Sequence, residues 1–174
     1  MSFVVWITGP SGAGKTTLAR ALVAKFRDLG YPVEFLDGDS IRNRLYPDLG
    51  FSKRERKIHN RVVIEMARLL SKNGIIVIVA IISPFKSTRE YARKEIGRFI
   101  EVYLNCPLEV RIKRDPKGLY AKALRGEIKG LTGYNGVYEE SENPELAFDT
   151  SITSVEEEVE AVVSKARELG YINY

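Results

Sequence analysis

Cysteine and histidine are nearly absent from the 174-residue sequence, which contains one of each, Cys106 and His59. A single cysteine excludes an intramolecular disulfide. One cysteine and one histidine are also too few for the ligand sets of structural zinc sites, so His59 is not expected to bind a metal. This composition is typical of a reducing compartment, and the cytoplasm is the expected localisation.

Long hydrophobic runs are missing as well. The longest, residues 75–82, is too short to cross a bilayer, so no membrane association is expected. The chain opens directly on a strand-like apolar segment, which leaves no room for a signal peptide. Nor is there a large excess of one charge: 27 Lys and Arg residues face 23 Asp and Glu residues, a net charge of +4. This balance suits anionic small molecules as well as nucleic acid and does not decide between them.

What the sequence does contain is a glycine-rich loop between an apolar and an amphipathic segment. Strand, glycine-rich turn and helix in this order are typical of a phosphate-binding loop, whose glycines let the backbone N–H groups point at a phosphate. Lys15 would reach the β- and γ-phosphates of a nucleoside triphosphate, and the Thr16 hydroxyl would ligate Mg²⁺. The residues expected to bind ATP are Gly9, Pro10, Ser11, Gly12, Ala13, Gly14, Lys15, Thr16 and Thr17.

The alternation of apolar and amphipathic segments predicts one α/β domain over residues 1–174, a doubly wound P-loop NTPase fold. Its mostly parallel five-stranded sheet is flanked by helices, with strands expected at residues 3–7, 33–36, 75–82, 99–104 and 148–152. A capping box of Ser52 and Glu55 predicts a long helix that ends near residue 72. Residues 126–147 lack periodicity and are predicted to form a lid.

Two aspartates follow the second predicted strand. In an open parallel sheet, ligands bind beyond the carboxyl ends of the strands, so both carboxylates can face the γ-phosphate. Asp39 is assigned to the acceptor hydroxyl and Asp37 to the outer shell of the metal. The alternative is an Asp-Gly-Asp turn that caps a helix.

Further polar and aromatic candidates lie near the same edge. The guanidinium groups of Arg42 and Arg56 would bind phosphate or sulfate, and a solvated basic helix face is the alternative. Phe51 would either stack on a purine or anchor the start of the long helix in the core. Ser83 follows the third predicted strand, where its hydroxyl is a candidate nucleophile or part of a structural Ser-Pro turn.

Six stretches, in order over nearly the whole chain, closely resemble the adenylylsulfate kinase family: residues 36–42, 49–52, 82–85, 114–120, 128–133 and 143–146. The resemblance implies transfer of the γ-phosphate of ATP, with Mg²⁺, to the 3′-hydroxyl of adenosine 5′-phosphosulfate. The products would be PAPS and ADP.

The resemblance also implies roles for individual residues. Lys15, Asp39 and Ser83 are the expected catalytic residues, and Ser83 matches the serine described in this family as a phosphoserine intermediate. Direct in-line transfer needs only positioning and charge stabilisation, so it stands beside the covalent role. The positions expected to bind the substrate are Asp39, Arg42, Phe51, Arg56, His59, Ile82, Ser83, Lys117, Gly118, Leu119 and Leu131.

Two of these positions depart from the family pattern. Leu131 stands where the family usually has a phenylalanine that, with position 51, sandwiches the substrate adenine. Leucine cannot stack aromatically, so weaker or differently shaped binding is expected. His59 replaces a usual asparagine. Neither residue belongs to the phosphate-binding loop, so activity is expected to be retained.

Two other functions stay open from the residues alone. One is a P-loop kinase for another nucleotide or a nucleic-acid hydroxyl, which the basic helix start at residues 53–57 would serve. The other is a nucleotide-sensing domain without turnover. In the main interpretation the partner is the small-molecule substrate, with no nucleic acid and no membrane. The resemblance adds a homodimer and a functional link to ATP sulfurylase as expectations.

Overall fold

The computed structural model describes residues 1–173. A parallel five-stranded sheet forms the centre of the fold, in the spatial order β2-β3-β1-β4-β5. The strands are β1 (Val4–Thr8), β2 (Val33–Asp37), β3 (Ile76–Ala80), β4 (Phe99–Leu104) and β5 (Leu146–Phe148). The helices are α1 (Lys15–Asp28), α2 (Gly38–Leu45), α3 (Lys53–Lys72), α4 (Lys86–Ile96), α5 (Leu108–Arg114), α6 (Leu119–Leu124) and α7 (Val155–Glu168). The predicted fold class is confirmed.

The three central strands are buried on both faces because helices cover both sides of the sheet. Alternate residues of β1 therefore pack in opposite directions. Val5 and Ile7 join a core cluster that contains Leu22 of α1 and Val162 of α7. Val4 and Trp6 join a second cluster with residues of α3 and α4, which are Val63, Ile64, Ala67 and Ala92.

The capping box of α3 is present as predicted. The Ser52 hydroxyl accepts a hydrogen bond from the backbone N–H of Glu55, and the Glu55 carboxylate accepts one from the backbone of Ser52. Both otherwise unsatisfied donors at the helix start are thereby paired. This cap fixes the start of α3 at Lys53, directly after the preceding turn.

The fifth strand was predicted too late in the chain, at residues 148–152. The strand spans Leu146–Phe148, and a turn follows it. The turn forms because the Asp149 carboxylate accepts a hydrogen bond from the Ser151 N–H at 2.9 Å, and the Asp149 carbonyl accepts one from Ile152. An aspartate that binds backbone two residues ahead favours a turn over an extended chain. The strand therefore ends at Phe148, the first residue of the segment that was predicted to form it.

Residues 126–145 contain turns and one isolated bridge, between Thr132 and Gly136. They cross the carboxyl edge of the sheet, so this segment is in place to cover a ligand, and its role as a lid stays a prediction. Within residues 1–173 no helix is both long and apolar enough to cross a membrane.

Candidate active site

A cavity of about 970 Å³ opens at the carboxyl edge of the sheet, with the glycine-rich loop at its centre. Most of the residues proposed from sequence line it: Ser11, Gly12, Gly14, Lys15, Thr16, Thr17, Asp37, Asp39, Arg42, Phe51, Arg56, His59, Ile82, Ser83, Lys117, Leu119 and Leu131. Four do not: Gly9, Pro10, Ala13 and Gly118. These four shape the loop or helix start behind the lining.

The glycine-rich loop has the backbone conformation that its glycines allow. Gly12 and Gly14 have φ angles of +79° and +97°, in the left-handed region. Gly9 packs so closely against β4 that an added Cβ would lie 2.7 Å from the Leu104 carbonyl oxygen. The loop is therefore wrapped tightly between β1 and the start of α1, as a phosphate cradle requires.

Lys15 folds back onto its own loop. Its Nζ donates a hydrogen bond to the Pro10 carbonyl at 2.9 Å. Burial lowers the pKa of Lys15 to about 7, and the nearby cations of Lys117 and Arg111 add to the effect. Asp39 and Asp37 oppose this shift only in part, so the added negative charge of a bound polyphosphate would stabilise the ammonium, and the site is electrostatically suited to an anion.

The loop is also held from behind by two residues that sequence reasoning missed. The buried Tyr120 hydroxyl donates to the Ser11 carbonyl at 2.6 Å and accepts from Arg111 at 2.9 Å. The same Arg111 guanidinium donates to the Gly133 carbonyl at 3.3 Å. The Arg111 guanidinium thus connects the predicted lid, through Gly133, to the phosphate-binding loop, through Tyr120. The only sequence signal was that Tyr120 closes the motif of residues 114–120.

Replacing Gly133 with alanine is expected to weaken nucleotide binding. An added Cβ would lie 2.7 Å from both the Arg111 guanidinium and the Pro10 ring, in a backbone with φ of +82°. Overpacking of this kind costs about 1–3 kcal/mol, on top of the strain of a positive φ. We expect a raised KM for ATP and a lowered melting temperature.

Gly126→Ala is the matched control for this change, because Gly126 has φ of +75° and an added Cβ there would meet nothing in residues 1–173 within 4 Å. Its melting temperature should fall through strain alone, with KM for ATP unchanged. Equal KM values in the two variants would contradict a coupling between Gly133 and the loop.

On the β2 side of the loop, both acidic and basic side chains line the cavity. Asp37 is the N-cap of α2, and its carboxylate accepts a hydrogen bond from the Asp39 N–H at 3.1 Å. The helix-capping alternative for this turn is therefore observed, and the cap holds Asp39 at the cavity wall. Asp39 forms an ion pair with Lys117, and both side chains are more than half exposed. A ligand can thus replace either partner at little cost.

The two arginines flank Phe51. Buried Arg42 donates to the carbonyls of Leu49 and Gly50 at 2.8 and 2.9 Å, and its guanidinium carbon lies 4.4 Å from the Phe51 ring centroid. Arg56 lies 5.5 Å from the same centroid. Phe51 is 66% exposed, so of its two predicted roles the core anchor is wrong. An exposed ring held by cations offers a face for stacking.

Arg56 also contacts the predicted lid, and nothing in the sequence indicated this contact. It donates to the Thr132 hydroxyl at 2.7 Å and to the Gly130 carbonyl at 3.2 Å. Between them lies Leu131, which is 7% exposed and packs on Tyr120. Leu131 therefore joins a small apolar cluster and, like Phe51, lines the cavity.

His59 is hydrogen-bonded through Nδ1 to the Tyr46 hydroxyl. Burial, followed by the charge of Arg42, lowers the pKa of His59 to about 4. The imidazole is therefore neutral near pH 7. The described residues contain no group of three or more His, Cys, Asp and Glu side chains that could hold a metal ion.

On the other side of the loop, above β4 and β5, the cavity is lined by residues that were not proposed from sequence: Arg114, Pro116, Thr150, Thr153, Val155 and Glu158. Thr150 connects this side to the loop, because its hydroxyl donates to the Ala13 carbonyl at 2.7 Å. Arg114 donates to the Thr150 carbonyl at 2.8 Å. The cavity thus has two arms that meet at the phosphate-binding loop.

A family model described as adenylylsulphate kinase matches residues 1–149. The chain belongs to the adenylyl-sulfate kinase family. It is 68% identical over 170 residues to a probable adenylyl-sulfate kinase of Pyrococcus abyssi, with 98% of each chain covered. It is 71% identical over 150 residues to a probable adenylyl-sulfate kinase of Archaeoglobus fulgidus, covering 86% of this chain and 97% of the relative.

A solved adenylyl-sulfate kinase has the same fold. The Mycobacterium tuberculosis APS kinase CysC, in complex with AMPPNP and APS, matches with a TM-score of 0.91 and 38% identity, over 95% of this chain and 98% of that one. A shikimate kinase of Aquifex aeolicus, at 15% identity and a TM-score of 0.56, shares the fold alone.

In this adenylyl-sulfate kinase chain, Ser83 lies at the sheet edge with its hydroxyl turned inward. The hydroxyl accepts a hydrogen bond from the Trp6 indole at 3.0 Å and donates to the Thr8 hydroxyl at 3.1 Å, and the residue has no exposed surface. Its φ of +42° is held by Arg89, which donates to the Ser83 carbonyl at 2.6 Å. These contacts favour a structural role for the hydroxyl over that of a nucleophile.

Proposed function

We propose that this chain transfers the γ-phosphate of ATP to the 3′-hydroxyl of adenosine 5′-phosphosulfate, giving PAPS and ADP. Membership of the adenylyl-sulfate kinase family supports the reaction. The observation that carries the proposal is that one cavity extends to both sides of the phosphate-binding loop, because such a cavity can hold a donor nucleotide and an acceptor nucleotide with their reacting ends together. The neighbour solved with AMPPNP and APS holds such a pair.

In this proposal the donor triphosphate lies on the loop, with Lys15 at its β- and γ-phosphates. The acceptor lies in the β2-side arm, with its adenine between Phe51 and Leu131 and its phosphosulfate near Arg42 and the other cationic groups. Arginine forks suit such anions.

The transfer is direct and in line. The bond from the acceptor oxygen to the γ-phosphorus forms while the bond from the γ-phosphorus to the bridging oxygen breaks, and ADP leaves with that oxygen. Asp39 accepts the proton of the acceptor hydroxyl. Preorganised positive charge on the loop stabilises the charge that develops on the transferred group.

The donor set of the cavity fits Mg²⁺. Thr16 at the first turn of α1 and Asp37 at the end of β2 offer a hydroxyl and a carboxylate to the same space. Mg²⁺ is usually held by one or two such protein ligands together with phosphate oxygens and water, rather than by a cage of side chains. When bound, the ion would neutralise charge on the phosphates; Thr16 would ligate it directly and Asp37 through water.

The test is an assay of ADP release with ATP, Mg²⁺ and adenosine 5′-phosphosulfate, with AMP and adenosine as control acceptors. ADP formation that depends on the phosphosulfate is the expected result. Equal ADP formation with AMP would make the chain a kinase for another nucleotide hydroxyl. Binding of both nucleotides without turnover would favour a sensor, although Lys15 and Asp39 both line the cavity and neither is lost.

Replacing Ser83 with alanine tests the direct mechanism. Without the hydroxyl, the Trp6 indole loses its acceptor, so we expect a modest loss of stability of about 1 kcal/mol and substantial remaining kcat. Loss of all turnover, together with a trapped phosphoserine in the unmodified protein, would instead establish a covalent intermediate. Mass spectrometry after ATP treatment and a steady-state assay give the two readouts.

Assembly and location belong to the same proposal. A solved neighbour is titled a hexameric APS kinase, from Thiobacillus denitrificans, and a relative in Sorangium cellulosum is named a bifunctional SAT/APS kinase. We therefore propose that copies of this chain associate, as a homodimer in the simplest case, and that the chain works with an ATP sulfurylase. We place the protein in the cytoplasm, because the reaction needs ATP and because Cys106 is a free thiol, as is usual in a reducing compartment.

A further inference from the structure

The arm of the cavity above β4 and β5 is the place for the base of the phosphate donor. The acceptor arm lies on the opposite side of the loop, above β2 and β3. Because the γ-phosphate has to point at the acceptor, the rest of the donor nucleotide extends away from it, over β4 and β5. This step rests on the proposed function, which makes the donor ATP.

Glu158 is the only carboxylate that lines this arm within the described residues, and its environment is unusual. The residue is 2% exposed, its carboxylate makes no hydrogen bond or ion pair with residues 1–173, and the carboxylate oxygens keep accessible surface towards the cavity. The nearest cation, Arg114, is engaged by Thr150 instead. A carboxylate that is almost buried and has no donor from the protein is poorly solvated, so a ligand in this cavity that donates a hydrogen bond to it would be favoured.

The electrostatics agree with this geometry. Burial raises the pKa of Glu158 to about 7, with the charge of Glu157 adding to the effect and that of Arg114 opposing it. A hydrogen bond donated by a ligand would offset the cost of this desolvation for the charged form. The base of ATP carries such a donor in its exocyclic 6-amino group, and apolar Val155 beside Glu158 offers contact to the ring.

We propose that the Glu158 carboxyl group accepts a hydrogen bond from the 6-amino group of the donor adenine and is thus a specificity residue for the phosphate donor. Sites that hydrogen-bond a substrate NH discriminate strongly against the analogue that lacks it, because the buried acceptor is then left without a partner. Glu158 acts in binding and takes no part in the transfer itself.

The experiment compares equilibrium binding of ATP and of purine riboside triphosphate, which lacks only the 6-amino group, by calorimetry in the presence of Mg²⁺. The unmodified protein should bind ATP about tenfold more tightly. Glu158→Met, which keeps the side-chain length and removes the acceptor, should bind the two nucleotides alike. Since it replaces a buried carboxylate without a partner, it should melt at the same temperature or higher.

Two further variants make the test specific. Glu158→Gln keeps an acceptor oxygen and should retain most of the preference for ATP. Glu156→Met changes an exposed glutamate in the same helical turn and should keep the tenfold difference in full. Equal affinity of the unmodified protein for the two nucleotides, or an undiminished preference in Glu158→Met, would overturn the proposal.

Failure of the proposed function gives a different result. It would appear as absence of ADP formation with adenosine 5′-phosphosulfate, while the binding comparison needs no acceptor and no turnover. Tight binding of ATP with the expected discrimination, in a protein that does not phosphorylate the phosphosulfate, would support the role of Glu158 and reject the reaction alone.

Discussion

Replacing Asp39 with asparagine is expected to lower kcat by about 10²–10⁴-fold and to leave KM for ATP nearly unchanged. Asparagine keeps the size of the side chain but cannot accept the proton of the acceptor hydroxyl. It also loses the ion pair with Lys117, which is exposed on both sides and contributes little to stability. Steady-state kinetics with both substrates varied would separate the effect on kcat from one on binding.

The matched control is Asp48→Asn. Asp48 is exposed in the turn after α2, and its replacement changes the net charge by the same amount. Its kinetics should equal those of the unmodified protein. Full activity in the Asp39 variant would remove this carboxylate from the mechanism and leave the acceptor hydroxyl to deprotonate without a protein base.

Replacing Lys15 with methionine should reduce kcat/KM for ATP on the order of 10³-fold, the effect typical of removing one preorganised group that stabilises transition-state charge. The substituted side chain retains the length but not the ammonium, which in the unliganded loop rests on the Pro10 carbonyl. The loop itself should stay folded, because Tyr120 and Thr150 hold it through the carbonyls of Ser11 and Ala13.

Lys25→Met in the same helix provides the comparison. The Lys25 ammonium lies 3.1 Å from a Glu160 carboxylate oxygen in an exposed pair, which contributes little free energy. Thermal melting should be similar for the two variants, and only the Lys15 variant should lose activity. If Lys15→Met kept more than about a tenth of the turnover, the loop would not work as P-loop kinases do.

The parts of this molecule that the sequence predicted are those encoded by neighbouring residues. The glycine-rich loop follows a buried strand directly, and its glycines are required where the backbone adopts positive φ, as at Gly12 and Gly14. The Ser52 cap lies three residues from its partner. In both cases the chemistry and the geometry lie within one turn of chain, so a pattern suffices.

The two short helices α2 and α6 have too few residues to show a period, so α2 was expected only as the alternative to a catalytic Asp-Gly-Asp turn and α6 was not predicted. An aspartate accepts from the first N–H groups of each helix: Asp37, the N-cap of α2, accepts from Asp39, and Asp115, which precedes the Gly118 N-cap of α6, accepts from Tyr120 and Ala121. A single capping residue is a weak signal when no amphipathic stretch follows it.

The β4–β5 arm of the cavity could not be predicted for a different reason. Thr150 and Glu158 lie far from residue 14 in the chain, and only the placement of β5 beside β4 brings them to the loop. Arg56 is similar, since its contacts with Gly130 and Thr132 join segments more than 70 residues apart. One sequence without aligned relatives carries no record of such pairs.

The central position of β1 has a consequence for the synthesis of this protein on the ribosome. The first strand to emerge pairs on one side with β3, which begins at Ile76, and on the other with β4, which begins at Phe99. Both edges of this strand, which is apolar except for Thr8, therefore stay unpaired until partners that are translated much later become available. Sheets closed by such distant pairings fold slowly and expose aggregation-prone edges meanwhile. The nascent chain should accordingly depend on chaperone protection until β4 has left the exit tunnel.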